Sequence, residues 1–208
     1  QDKYTYSVNV KTIKNLIKEL ETNTWLNNDT EHVFKLDRQH MKDVLDVNPK
    51  EFQEPVYDQY EYKKNVLKNK GLLLDMGTGT GKTYTSISTM IGAKVDIQIY
   101  IVMNKNLDTV WFNTLGNNSD GFFKEKIDRK NILTSYDYDN SKVYKDENII
   151  LFHYEALDKL LDLVKYFKGK KVGIVVDEVH NFTSQNNRYE NLLELCLETE
   201  SEDIILMS

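Results

Sequence analysis

Short unbroken apolar runs alternate, over most of this chain, with stretches whose apolar residues recur every three or four positions. The runs lie within the segments 72–75, 97–103, 149–152, 172–176 and 204–207. Uninterrupted apolarity of that length predicts strands buried on both faces. Between them, helical spacing predicts a helix from 82 to about 92 and another through Leu107, Val110, Trp111 and Leu115. A third runs from 154 to about 168, with Leu157, Leu160, Leu161 and Val164 on one face, and a fourth covers 189–198. Strands alternating with helices predict an α/β fold, a mostly parallel sheet sandwiched by helices. The polar stretch 116–147, rich in Asp, Asn and Tyr, is expected to hold one more strand near Ile132-Leu133 and a surface loop. The chain has no internal repeat.

Residues 1–48 predict a small α/β module. Positions 4–10 alternate like a strand, and Ile13, Leu16, Ile17 and Leu20 share one helical face. Residues 23–30 suit a loop and 32–36 a second strand. Asp37 is placed to cap a helix carrying Met41, Val44 and Leu45. Fewer than fifty residues make a marginal core, so this module is expected to pack on the larger domain C-terminal to it. Both prolines, Pro49 and Pro55, lie in 48–56, which sets the expected boundary between domains 1–48 and 49–208.

Composition adds exclusions. The 208 residues are 40% apolar and 29% charged, ordinary for one globular domain with an appendage. Apolar runs of about five residues are too short to span a membrane. The polar start, Gln1-Asp2-Lys3-Tyr4, has no secretory apolar region. Cys196 is the sole cysteine, which rules out an intrachain disulfide and a cysteine-rich zinc site. The net charge of −6 argues against a partner held by a broad basic face. Phosphates can still be held by backbone N–H groups and helix N-termini, which add no formal charge.

The candidate chemistry sits at the ends of two runs. Thr78-Gly79-Thr80-Gly81-Lys82-Thr83 comes after Leu72-Leu73-Leu74 and opens a helix. Such a turn points several N–H groups at one spot, where the helix dipole adds positive potential. Gly79 and Gly81 let the backbone approach a phosphate, Lys82 reaches the β- and γ-phosphates, and the Thr83 hydroxyl ligates Mg²⁺. The common phosphate-loop pattern begins with glycine where this chain has Met76, and Gly77 comes one position later. Ninety-five residues after Lys82, Asp177-Glu178-Val179-His180 succeeds the run Val172–Val176. In that order Asp177 would hold Mg²⁺ through water and Glu178 would polarise the attacking water.

With these residues the chain resembles the superfamily-two helicases and translocases, in particular the DExH and Swi/Snf-like group, over about residues 50–208. Thr78–Thr83 is similar to that family's motif I and Asp177–His180 to motif II, with His180 as a coupling residue. Gln59 lies 23 residues before Lys82, near where the family places an adenine-reading glutamine, although its flank lacks the usual Pro-Tyr-Gln form. Ile99 through Leu107, with Trp111, resembles motif Ia, which offers Lys105 as a phosphate contact, with Asn104 where proline is usual. His153-Tyr154-Glu155-Ala156-Leu157 is similar to the family's Thr-Tyr-Glu-x-Leu element, with His153 on the nucleic-acid side. Asp203 to Ser208 resembles the strand leading into motif III, so Ser208 is a second coupling residue.

The resemblance implies a RecA-like domain that binds ATP and Mg²⁺ and couples hydrolysis to movement on DNA or RNA. It also implies a second RecA-like domain after Ser208 that supplies an arginine finger. None of Arg38, Arg129 and Arg188 lies in a finger motif, so this portion alone is expected to turn over slowly. Lysine outnumbers arginine 24 to 3, with 20 asparagines and two alanines, a bias of AT-rich genomes. It points to a phage or large-DNA-virus protein, in the host cytoplasm or the virion.

Three other nucleotide enzymes fit less well. In Asn104-Lys105-Asn106-Leu107-Asp108 the aspartate is one residue late for a guanine-reading element. A small-molecule kinase would need lid arginines, and a transporter ATPase a Ser-Gly-Gly signature. The remaining alternative is a nucleotide-dependent, non-unwinding ATPase module of a viral transcription or packaging complex.

Overall fold

A computed structural model describes residues 33–77, 79–116, 122–182 and 187–208. The expected strand at 4–10, the helical face of Ile13 to Leu20, the loop at 23–30 and Thr78 lie outside the described residues. Six strands, β1 (Gly71–Leu74), β2 (Ile97–Val102), β3 (Ile132–Thr134), β4 (Ile149–His153), β5 (Val172–Val176) and β6 (Asp203–Met207), form one sheet. Their order is β1-β6-β5-β2-β4-β3, and every neighbouring pair is parallel. The sheet is therefore α/β and RecA-like, with strands at each predicted run.

Alternation along the strands divides the interior into two cores. Ile97, Ile99, Ile101, Ile150, Phe152, Ile174, Val176, Ile204 and Leu206 face one side. There they meet Leu157, Leu160 and Phe167 and, from the helix Asn187–Glu198, Leu192 and Leu195. Tyr100, Val102, Leu151, Val175, Ile205 and Met207 face the other side, under Ile87 and Met90 of the helix Lys82–Gly92, with Tyr57 and Trp111. Gly173 allows the close approach on this side. A Cβ built there would lie 2.4 Å from the Met90 sulfur and 3.1 Å from Val95 Cγ1.

Three expectations change, two of helices and one of a strand. The single helix expected over 154–168 is a 3-10 turn, Tyr154–Ala156, succeeded by helices Leu157–Leu161 and Val164–Phe167. Tightened bonds, Leu163 N to Leu160 O and Tyr166 N to Leu163 O, break it and turn both Leu163 and Phe167 inward. The helix through Leu107 and Trp111 is π-helical over Leu107–Phe112. No strand forms at Phe34 or Leu36. The Phe34 N–H and carbonyl bond the Asn65 side chain at 2.7 and 2.8 Å, and the Leu36 N–H bonds Glu61 at 2.9 Å. Side chains of the helix Glu54–Asn65 thus take the bonds a neighbouring strand would have taken.

Asp37 caps the helix Arg38–Val44, its carboxylate accepting from His40 N at 2.8 Å. Leu36, Met41 and Leu45, from the described part of the 1–48 stretch, share a core with Leu72, Tyr84 and Ile91. No helix among the described residues is long and apolar enough to cross a membrane.

Candidate nucleotide site

The carboxyl end of β1 leads into the phosphate loop. Gly79 (φ 78°) and Gly81 (φ 85°) are both left-handed, a region that favours glycine, and Gly81 is the N-cap of the helix Lys82–Gly92. Thr80 folds back on Gly77, its N–H and hydroxyl both donating to that carbonyl, at 3.3 and 2.6 Å. Met76, where the common pattern has glycine, packs against the core around Tyr57 and Tyr84. Lys82 Nζ donates to the Ser208 carbonyl at 3.0 Å, and Ser208 N donates to Leu74 O at 3.2 Å. The loop lysine is thereby tied to the end of β6. Thr83, half-buried, lies in the first helical turn.

The acidic box stands at the carboxyl end of β5. Asp177 is buried, and its N–H bonds Ile101 O at 2.9 Å. Oδ2 accepts from the Trp111 indole at 3.0 Å, and the Asp177 carbonyl accepts from the Tyr154 hydroxyl. Burial raises the Asp177 pKa above the ordinary carboxylate range, and the Glu178 charge adds to it. The Trp111 bond and the Lys82 charge pull it back. The phosphate-loop lysine therefore lies close enough to act on the Asp177 charge. Glu178 is left-handed (φ 48°) and precedes the 3-10 turn Val179–Asn181. His180 Nδ1 lies 3.2 Å from Glu178 Oε2, and Asn181 donates to the Glu178 carbonyl at 3.0 Å.

Thr83 and Asp177 offer hard oxygen donors, a hydroxyl and a carboxylate. Among the described residues no group of three or more His, Cys, Asp or Glu is placed to hold a metal. That donor set fits Mg²⁺, which keeps several waters and takes substrate phosphate oxygens rather than a full protein cage.

Gln59 is exposed on the helix Glu54–Asn65, and among the described residues no bond links it to the phosphate loop. Gln53 occupies the position beside that loop instead. It is 2% exposed, and its Nε2 donates to Thr85 Oγ1 at 3.0 Å and Gly81 O at 3.3 Å. Its Oε1 accepts from Lys50 N at 2.8 Å. The sequence carried a signal for it, since Phe52-Gln53 has the aromatic–glutamine step that Asp58-Gln59 lacks.

Lys105 is exposed and lines a cleft of about 650 Å³ with Asn104, Tyr136, Tyr154, Asn181 and Arg188. His153 lies beside it, its ring 5.7 Å from that of Tyr136. Its Nδ1 is 3.1 Å from Glu155, which also pairs with Arg188 at 2.9 Å. The structure thus gathers Gly79, Thr80, Gly81, Lys82, Thr83, Asp177, Glu178, His180 and Ser208 at one end of the sheet, and Lys105 and His153 beside an adjoining cleft.

Residues 10–206 match the family described as type III restriction enzyme, res subunit. No curated protein matches the sequence. Among solved structures, the chain is similar to the SWI2/SNF2 ATPase core of Sulfolobus solfataricus in complex with dsDNA, with a TM-score of 0.53 at 19% identity. The likeness covers 79% of this chain and 32% of that one, so this chain spans about a third of its length.

Proposed function

From a chain that belongs to the type III restriction enzyme res subunit family, a superfamily-two helicase-like RecA domain, we propose an ATP-driven motor domain that moves on DNA. The observation that carries it is the convergence of Lys82, Asp177 and Glu178 at the carboxyl ends of β1 and β5. The loop N–H groups and the Lys82 ammonium bind the β- and γ-phosphates, exchanging the Ser208 carbonyl for phosphate oxygens. Bound Mg²⁺ would supply neutralisation of charge on the transferring phosphoryl group, and Thr83 and Asp177 are the residues that would hold it. Glu178 orients the attacking water. His180, 3.2 Å from Glu178, reports its position to the neighbouring cleft by way of Asn181. Gln53 braces the loop from behind, and the half-exposed Phe52 ring beside it presents an apolar face to an adenine.

The cleft carrying Lys105 takes the nucleic-acid backbone in this reading. The dsDNA bound by the similar SWI2/SNF2 core supports DNA as the track. In the same reading a second RecA-like domain closes over the nucleotide and brings an arginine to the transferring phosphoryl group.

The test is ATP turnover by the full-length protein with no DNA, with single strands and with duplex. Strong stimulation is expected, and the preferred strand type separates translocase from helicase. Nucleotide binding with no response to any DNA would overturn the motor reading in favour of a non-unwinding regulatory module.

A further inference from the structure

The bond from Trp111 to Asp177 joins two segments 66 residues apart in the chain. Trp111 is 1% exposed and lies in the π-helical turn Leu107–Phe112. An indole N–H can only donate, and among the described residues this one donates to Asp177 Oδ2 at 3.0 Å. The ring is fixed from the side by Tyr100, with centroids 5.1 Å apart, and Tyr100 is itself fully buried in β2. A π-turn inserts one residue into a helix, which shifts the azimuth of everything beyond it by about 100°. Trp111 lies within this irregular turn, and from there its indole reaches the end of β5. From a separate element, the Tyr154 hydroxyl holds the Asp177 carbonyl. Side chain and backbone of one aspartate are thus gripped by the segments that come after β2 and β4.

We propose that Trp111 is a positioning residue for the metal-binding carboxylate. Its N–H holds the Asp177 side chain in the orientation that receives Mg²⁺ with bound nucleotide. Outer-shell donors of this kind orient the ligand itself, and losing one costs about 10- to 100-fold in metal affinity or activity. The proposal rests on the reading of Asp177 as the Mg²⁺ carboxylate.

The experiment replaces Trp111 in the full-length protein with 3-benzothienylalanine, which keeps the bicyclic shape and carries sulfur where the indole has N–H. Trp111→Phe and Asp177→Asn are made alongside. Calorimetry measures affinity for a non-hydrolysable ATP analogue with and without Mg²⁺, and turnover is measured in parallel. With the benzothienyl side chain, the gain in affinity on adding Mg²⁺ is expected to shrink about tenfold. Metal-free affinity and the thermal midpoint stay at their wild-type values, and kcat falls more than KM rises. If Asp177→Asn removes the Mg²⁺-dependent gain while the benzothienyl protein keeps it within about twofold, Trp111 has no positioning role. If Asp177→Asn leaves that gain intact, Asp177 is not the metal carboxylate and both readings fall. Should Trp111→Phe fail to fold, the benzothienyl protein decides alone.

Discussion

Gln53 Nε2 sits 3.0 Å from Thr85 Oγ1 and 3.3 Å from the Gly81 carbonyl, so one buried amide holds both the cap and the first turn of the phosphate-loop helix. A Cβ built on Gly81 would come within 2.7 Å of that same nitrogen. The loop and the glutamine are therefore fitted to each other. Gln53→Ala takes the acceptor from the Lys50 N–H and one of the two bonds of the Thr85 hydroxyl, which keeps its own to Gly81 O, at a cost of about 1–3 kcal/mol. For a domain of this size the midpoint should drop roughly 2–4 °C for each kcal/mol. Nucleotide affinity should fall with it, whereas Gln59→Ala should change neither. Thermal melts and nucleotide titrations of the two variants check this, and equal effects would refute the assignment.

Lys82 bonds the Ser208 carbonyl at the end of β6, in the strand array that also carries the acidic box. Lys82→Ala should abolish tight ATP binding by removing the principal cationic phosphate contact. The fold should lose little, because the lysine contributes one half-exposed bond to it. Calorimetry showing unchanged nucleotide affinity would dismantle the site.

Glu178 and His180 separate chemistry from coupling. Glu178→Gln keeps the size of the side chain but loses its basicity, so turnover should fall about 10²-fold or more while nucleotide still binds. His180→Ala should spare basal turnover and reduce its stimulation by DNA, because the His180–Glu178 contact of 3.2 Å is the link being cut. Steady-state rates with and without duplex measure both. Turnover of Glu178→Gln within tenfold of wild type would remove that residue from catalysis.

The strands were legible because β2, β5 and β6 are almost entirely apolar, and a parallel sheet covered on both faces demands that. The phosphate loop and acidic box were legible because their residue types come after strand ends in the required order. What escaped depended on direction rather than pattern. Gln53 and Gln59 lie six positions apart near one helix, and at about 100° per residue they point to different sides. Spacing to Lys82 could not choose between them. The π-turn that carries Trp111 has an ordinary helical sequence, since Leu107, Val110, Trp111 and Leu115 suit a regular helix equally well. Phe34 and Leu36 alternate like a strand, but Asn65 and Glu61, some thirty residues away, take their backbone bonds.

Asp203 was legible only as the polar start of a strand, yet it anchors the opposite end of the sheet. Its side chain is fully buried, with Oδ1 accepting from Tyr60 OH at 2.6 Å and Lys64 Nζ at 2.7 Å. Lys171 lies 3.3 Å from Oδ2. Burial pushes this carboxyl up, but the two lysine charges and the bonds from Lys64 and Tyr60 outweigh burial and hold it below the ordinary carboxylate range. Because it titrates lower folded than unfolded, its stabilisation is complete above the unfolded value and is lost as pH falls through the folded one. Asp203→Asn leaves the nearly buried Lys64 without its counter-charge, at a cost of about 3 kcal/mol, or roughly 6–12 °C in midpoint. Lys171 is partly exposed and adds little to that loss. The gap between variant and wild type should be widest near neutrality and close as the solution is acidified, because the wild-type carboxyl then becomes neutral too. Adding Lys64→Met to Asp203→Asn should recover part of the loss, since it removes the stranded charge. Melting curves over a descending pH series read all three expectations, and a gap that stays constant with pH would show that the carboxylate's charge is not what anchors this end of the sheet.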